Sequence, residues 1–280
     1  MILADYHTHT EFSTDSEAAV EDMVKAAIKK GLKIICITDH FDRNYPEIPE
    51  EAVKAGRDFE FNPKEYFDKI YELKHRYKND IKVLCGVELG LRNEPENMEE
   101  IKAYYDKLLD EYDFDFAIGS THVLENLDPY YEQYWEGKTK KDGISAYFKS
   151  IAQNAAYYKN FMIYGHLDYL IRYVPDSVKD YDYSEYKELI DEALNSLINS
   201  GRGVELNSSG YKYGLEYPHP KPEILKRYRE LGGEILTIGS DAHAPEHIAY
   251  DFKRAEELLK NLGFKYYTVF EKRKPEFIKL

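Results

Sequence analysis

The chain has 280 residues, 43% of them hydrophobic, with a formal charge of -14, nine His and two Cys. This much apolar sequence can bury the core of one barrel-sized domain, and the acidic balance argues against the broad basic face of a nucleic-acid binder. Cys36 and Cys85 sit inside apolar runs, and neither a secretory leader nor an apolar stretch of membrane-spanning length is visible, so a reduced, cytoplasmic setting is the expectation.

Short apolar, β-branched runs at 2–6, 33–38, 81–88, 114–120, 162–166, 203–207 and 234–240 predict seven buried strands. Helical spacing fills the intervals. Ala18-Ala19 through Val24, Ala27 and Ile28 ends at Gly31, and Leu189-Ile190, Ala193-Leu194 and Leu197-Ile198 end at Gly201. Strand alternating with helix implies a parallel sheet, and seven such units fit an α/β fold closed as a (β/α) barrel, one domain spanning residues 1–280. The connections from Phe41 to about Asn62 and from Asn126 to Gly143 exceed ordinary loops and are expected to cover or shape a site. The 27 tyrosines suggest no mechanism by their pattern.

Polar residues recur at the ends of these strands. His7 and His9 follow the first, Asp39-His40 the second, Glu88 the third, Thr121-His122 the fourth, His166 the fifth and Asp241-Ala242-His243 the seventh. Six of the nine histidines therefore fall at carboxyl ends, which converge on one face of a closed parallel barrel. A lone histidine after a strand is ordinarily a satisfied structural residue; their joint placement favours a metal site. Imidazole with carboxylate suits zinc, iron or manganese. Alternate residues of extended chain point the same way, so His7 with His9, and Asp241 with His243, can face one ion.

The segments Asp5-Tyr6-His7-Thr8-His9-Thr10, Ile37-Thr38-Asp39-His40, Gly86-Val87-Glu88, Gly119-Ser120-Thr121-His122, Gly165-His166-Leu167-Asp168 and Gly239-Ser240-Asp241-Ala242-His243 resemble the polymerase and histidinol phosphatase (PHP) family, and the whole chain resembles its histidinol-phosphate phosphatase branch. That resemblance implies a distorted (β/α)7 barrel holding three divalent transition-metal ions. His7, His9, Glu88 and Asp241 would hold the first; Glu88 would bridge to a second held by His122 and His166; Asp15, His40 and His243 would hold the third. Asp15 stands where some members use histidine, and capping the helix that follows is its alternative role. Three divalent ions against three carboxylates leave roughly three positive charges for a phosphate monoester to balance.

The implied activity is hydrolysis of L-histidinol phosphate to L-histidinol and phosphate, in histidine biosynthesis, by attack of a metal-bound hydroxide. Asp241 and His243 are candidates for proton donation to the leaving alkoxide, with pure ligation as the alternative. Arg172 is placed to clasp the phosphate. Lys212 stands where this branch is expected to carry arginine, keeping the charge and losing the bidentate fork. Asp168 is a candidate to orient His166, and Asp39 to orient His40, unless each caps the following helix. Glu11 reads as an exposed loop residue, and His75, His219 and His247 receive no role. A phosphatase of another ester (nucleotide or phosphoprotein), a nucleic-acid phosphodiesterase, or a binding module on a vestigial barrel are the alternatives. The acidic balance opposes the phosphodiesterase, and the complete ligand set opposes the binding module.

Overall fold

The computed structural model describes residues 1–46 and 58–280. Eight strands form one sheet: β1 (Ala4–Asp5), β2 (Ile34–Ile37), β3 (His40–Phe41), β4 (Lys82–Gly90), β5 (Phe116–Ser120), β6 (Ile163–Tyr164), β7 (Gly203–Asn207) and β8 (Leu236–Gly239). All pairings are parallel, in the order β1-β2-β4-β5-β6-β7-β8, with β3 also on β4. The ends of that path meet. The Tyr6 amide donates to the Ile238 carbonyl (3.0 Å), the Asp241 amide to the His7 carbonyl (2.8 Å) and the His9 amide to the Ala242 carbonyl (2.8 Å), closing the sheet into a barrel. All seven expected strand runs are present, and β3 is an added short continuation beyond the second.

Local chemistry explains the elements. From Val83 to Gly90 every residue of β4 is buried, as a parallel strand covered on both faces requires. Helix α1 (Val20–Lys29) turns Val20, Met23, Val24 and Ala27 inward, and Gly31 at φ +78° follows its end. Helices α2 (Pro63–Arg76) and α3 (Pro95–Glu111) open on proline, the first capped by Asn62 through the Lys64 and Glu65 amides. After the short α4 (Glu132–Trp135), a capping box of Thr139 and Asp142 opens α5 (Lys140–Tyr157). Helix α6 (Lys187–Asn199) buries Ile190, Ala193, Leu194 and Leu197; α7 (Ser209–Lys212), α8 (Pro222–Glu230) and α9 (Phe252–Asn261) complete the set among the described residues.

A C-terminal hairpin, β9 (Tyr266–Glu271) with β10 (Lys274–Lys279), was not expected from the sequence pattern. It packs beneath the amino-terminal ends of β5 and β8. Thr268 Oγ1 accepts from the Leu236 amide (3.1 Å), the Tyr6 hydroxyl donates to the Phe270 carbonyl (2.7 Å), and the Phe270 ring lies 5.2 Å from that of Phe116. The hairpin thus stoppers the end of the barrel opposite the polar one. Among the described residues no helix is long and apolar enough to cross a membrane.

Candidate metal centre

At the carboxyl ends of the strands the polar residues gather around Glu88, which is fully buried. One carboxylate oxygen, Oε1, is 2.9 Å from His166 Nε2 and 3.3 Å from His122 Nε2; the other, Oε2, is 3.2 Å from His7 Nε2, 3.5 Å from His9 Nε2 and 3.0 Å from His40 Nδ1. Asp241 Oδ1 approaches His9 Nε2 (3.4 Å), His243 Nδ1 (3.6 Å) and His7 Nε2 (3.9 Å). Asp15 reaches His243 Nε2 at 3.2 Å and His40 Nε2 at 3.7 Å. All nine residues named from the sequence are therefore brought together. Asp15 does not cap α1, whose cap position is Ala19 with no side-chain bond.

Several of the converging atoms are buried and lack a hydrogen-bond partner: Nε2 of His7, His9 and His243, Nδ1 of His40 and Oε2 of Glu88. Unpaired buried polar atoms are costly, and so many in one place is the signature of a site shaped for cations. Three sets of mutually close ligand atoms, His7-His9-Glu88, Glu88-His122-His166 and His9-His40-His243, can each hold an ion; His40-Asp42-His122 is a fourth such set, and Asp42 was not anticipated.

The electrostatics carry the same message. Burial opposes a proton on His7, yet the carboxylates of Glu205, Glu88 and Asp241 outweigh it and hold its pKa well above the usual imidazole value. His122 is raised against burial by Asp42 and Glu88, and His40 is pushed up to about 9 by Asp15 and Glu88. His9 runs the other way, lowered by burial and by its neighbours His243 and His40. Burial would raise the carboxyls of Glu88 and Asp241, but the facing imidazoles keep both well below the ordinary range. The same negative potential that favours a proton on these imidazoles favours a metal ion, whose binding would release those protons.

Outer groups fix the rings. His7 Nδ1–H donates to Glu205 Oε1 (2.8 Å) and His122 Nδ1–H to Asp42 Oδ1 (2.6 Å). His9 Nδ1–H donates to Ser13 Oγ (2.9 Å), whose hydroxyl donates to Asp39 Oδ1 (2.6 Å). In each case Nδ1 carries the proton and Nε2 is left to face the cluster. Asp39 thus acts on His9 through Ser13; it neither orients the His40 ring nor caps a helix, because the Thr10 amide and hydroxyl and Ser13 occupy it. Glycines make room for these carboxylates. A Cβ on Gly90 would fall 1.8 Å from Asp42 Oδ1, and one on Gly239 would lie 2.3 Å from Glu205 Oε1.

A cavity of about 360 Å³ opens above the cluster. Its floor is Asp15, His40, His122, His166, Asp241 and His243; its walls are Tyr45, Phe59, Asp128, Tyr130, Tyr131, Tyr169, Tyr173 and Tyr213, with Arg172 between. Both long connections contribute walls, as expected; of the first, residues 47–57 lie outside the described residues.

The PHP domain model matches residues 5–209. The chain belongs to the PHP domain family. This PHP chain is 36% identical over 269 residues to the protein named "Probable histidinol-phosphatase" from Clostridium acetobutylicum, covering 96% of this chain and 97% of that one. It is 30% identical over 266 residues to the histidinol-phosphatase of Lactococcus lactis, covering 93% and 91%. The crystal structure of histidinol phosphate phosphatase from L. lactis, complexed with zinc, L-histidinol and phosphate, matches with a TM-score of 0.85 over 98% of each chain.

In this PHP domain Arg172 sits beside the floor. One guanidinium nitrogen lies 3.7 Å from Asp241 Oδ2 and in close contact with Ser209 Oγ, and the group stacks 4.1 Å over the Tyr213 ring. Lys212 is not on the cavity wall; its ammonium lies 4.7 Å over the Tyr213 ring. His219, given no role from the sequence, is fully buried and accepts the Arg172 Nε–H at its own Nε2 (2.8 Å) while its Nδ1–H donates to Asp168 Oδ1 (2.6 Å). Burial and the Arg172 charge lower its pKa to about 4, so it stays neutral. Asp168 accordingly orients His219, together with the Tyr181 hydroxyl and the Lys221 amide, and not His166. Glu205, Asp42 and His219 are the residues that sequence reasoning missed. Their only signals were a carboxylate mid-strand, one next to His40-Phe41, and a histidine flanked by prolines.

Proposed function

We propose that this chain is a metal-dependent phosphomonoesterase that hydrolyses L-histidinol phosphate to L-histidinol and phosphate, acting as one domain over residues 1–280 in the cytoplasm. The observation that carries the reading is a bipolar cavity: a buried cation-seeking floor with Arg172 at its edge, and an aromatic wall bearing Asp128. The relatives named for this reaction cover nearly the whole chain.

His7, His9, Glu88 and Asp241 would hold one divalent ion, Glu88, His122 and His166 a second, and Asp15, His40 and His243 a third, of zinc, iron or manganese type. When bound, such ions neutralise phosphoryl oxygens and lower the pKa of water from 15.7 towards about 7. Arg172 binds the phosphate and is held in place by neutral His219. Lys212 adds positive potential from beyond Tyr213. His243 is the group placed to deliver the proton that the leaving alkoxide requires, because the facing imidazoles keep Asp241 ionised and leave it a ligand. At the far end Asp128, whose carboxyl is raised by burial, gains most from a cationic partner; it receives the substrate ammonium while the tyrosines stack on the imidazole.

Phosphate release is the test. Metal-loaded protein should prefer L-histidinol phosphate over nucleotides, phosphotyrosine and short single-stranded DNA by at least about a hundredfold in kcat/KM, and lose activity on chelation. Preference for any other ester, or activity that survives chelation, overturns the reading.

A further inference from the structure

Away from the floor, a buried ion pair joins the two loops that wall the cavity. Arg92, just beyond β4, is 3% exposed and Glu94 8%. The Arg92 guanidinium donates in three directions: Nε to Glu94 Oε2 (2.8 Å), one terminal nitrogen to the Asn44 carbonyl (2.9 Å) and the other to Asn126 Oδ1 (2.5 Å). Glu94 Oε1 closes the ring by accepting the Asn126 amide (2.9 Å). Both terminal nitrogens of Arg92 and one carboxylate oxygen of Glu94 are therefore engaged by the two loops, while Nε and the other oxygen hold the pair together.

The positions it grips are the informative part. Asn44 (φ +58°) directly precedes Tyr45, and Asn126 (φ +58°) lies two residues before Asp128. Both asparagines hold the left-handed conformation, Asn126 within the tight turn where Leu124 and Leu127 exchange backbone hydrogen bonds. Tyr45 and Asp128 then meet inside the cavity, the hydroxyl donating to the carboxylate. The first loop also supplies Asp42 to His122, the residue from which the second loop departs. Neither Arg92 nor Glu94 lines the cavity.

We propose that the Arg92–Glu94 pair is a specificity-determining strut: it fixes the separation of the 43–46 and 124–130 loops, and so the placement of Tyr45 and Asp128 against the substrate headgroup. A guanidinium suits this task because its planar fork holds three fixed directions, where an ammonium would hold a point contact. A buried ion pair contributes little net stability over an apolar core, whereas this one ties two separate loops to each other. The inference rests on the reading of the cavity given under the proposed function.

Two variants test it. Asn126→Gly keeps the left-handed turn accessible and removes one acceptor; Arg92→Lys keeps the charge beside Glu94 and removes the fork. Each is assayed with L-histidinol phosphate and with p-nitrophenyl phosphate, which lacks the cationic headgroup, alongside metal content and backbone hydrogen exchange. The expected result is a KM for L-histidinol phosphate raised about tenfold or more, as for a weakened charge-assisted contact to the headgroup, with its kcat, p-nitrophenyl phosphate kinetics and metal content within about twofold of wild type. Amides of 43–46 and 124–130 should exchange faster. Equal losses on both esters, or unchanged kinetics in both variants, overturn the strut. If the unmodified protein does not hydrolyse L-histidinol phosphate, the proposed function fails by itself, and unchanged exchange at both loops in Asn126→Gly then decides against the strut.

Discussion

His7, Glu88, His122, His166 and Asp241 stand on barrel strands or two residues beyond them, whereas Tyr45, Phe59, Asp128 and Tyr130 stand on connections. The floor of the cavity inherits its geometry from a closed ladder of backbone hydrogen bonds. The walls must be placed by side chains, by bonds such as Tyr45 to Asp128 and by the ion pair at Arg92. A floor built this way can hold atoms to the tolerance that metal chemistry demands, and walls built the other way can vary without disturbing it. Asp241 is the one place where the floor itself is strained: at φ +53° it lies in the left-handed region, pinned by its amide bond to the His7 carbonyl. Such a conformation persists where surrounding contacts over-determine it, here turning the carboxylate inward.

The comparison breaks first at Glu88. Replacing it with glutamine keeps the shape and removes the charge on which five imidazoles converge. Turnover should fall by more than the roughly 10–100-fold that loss of an outer-shell partner costs, with metal content falling in parallel. Phosphate release and metal analysis on the same preparation check this; full metal occupancy with wild-type kcat would mean the floor is not where the chemistry lies.

A smaller effect is expected one layer out. Gly90→Ala places a methyl where Asp42 Oδ1 sits, and Gly239→Ala does the same beside Glu205. Gly90→Ala should reproduce the loss of its carboxylate, about 10–100-fold in metal affinity or activity, although Gly90 does not touch the cluster; Gly239→Ala should cost at least as much, because its methyl would also fall 2.3 Å from His7 Cβ. Titration of metal into stripped protein reads the affinity. Wild-type binding in Gly90→Ala would show that the Asp42 bond to His122 is dispensable. On the walls, Asp128→Asn should raise KM for L-histidinol phosphate about tenfold with kcat unchanged, and leave esters lacking an amine unaffected, because only a charge-assisted contact is lost. A parallel loss on amine-free esters would place Asp128 with the floor.

How much of this was readable follows the same division. Strands 2–6 through 234–240 announced themselves as apolar runs, and the residues just beyond them gave the floor, because in a parallel barrel position along the strand fixes position in space. Asp42 and Glu205 escaped because their roles depend on close approach: Gly90 and Gly239 are needed for the space they leave, which no spacing rule reveals. Asp168 and Asp39 were assigned by adjacency to the wrong histidines, since the bonds they make reach 51 residues along the chain to His219 and, through Ser13, back to His9. The hairpin at 266–279 was hidden by its turn, Lys272-Arg273, which takes positive φ at both positions without the glycine or asparagine that normally signals it. The walls are tyrosine-rich, but a chain with 27 tyrosines does not say which of them face a cavity.

The smallest effect on kcat/KM belongs to His219, which lies outside both floor and walls and holds Arg172 between them. His219→Gln keeps an amide near Asp168 and Arg172, so at neutral pH kcat/KM should drop only about threefold to tenfold, as for loss of one buried hydrogen bond. Its distinctive signature is in acid. The folded protein holds His219 near a pKa of about 4 against an ordinary value of 6.5, so between those values the unfolded chain binds the extra proton. Stability contributed by keeping the ring neutral is therefore complete above pH 6.5 and lost as pH falls towards 4, by an amount of order 3 kcal/mol. Denaturant unfolding of metal-stripped wild type and His219→Gln across pH 4 to 7 isolates this slope from that of the many carboxylates the two share. The curves should converge as pH falls; parallel curves would mean that His219 is not held neutral and that Arg172 is positioned by Ser209 and Tyr213 alone.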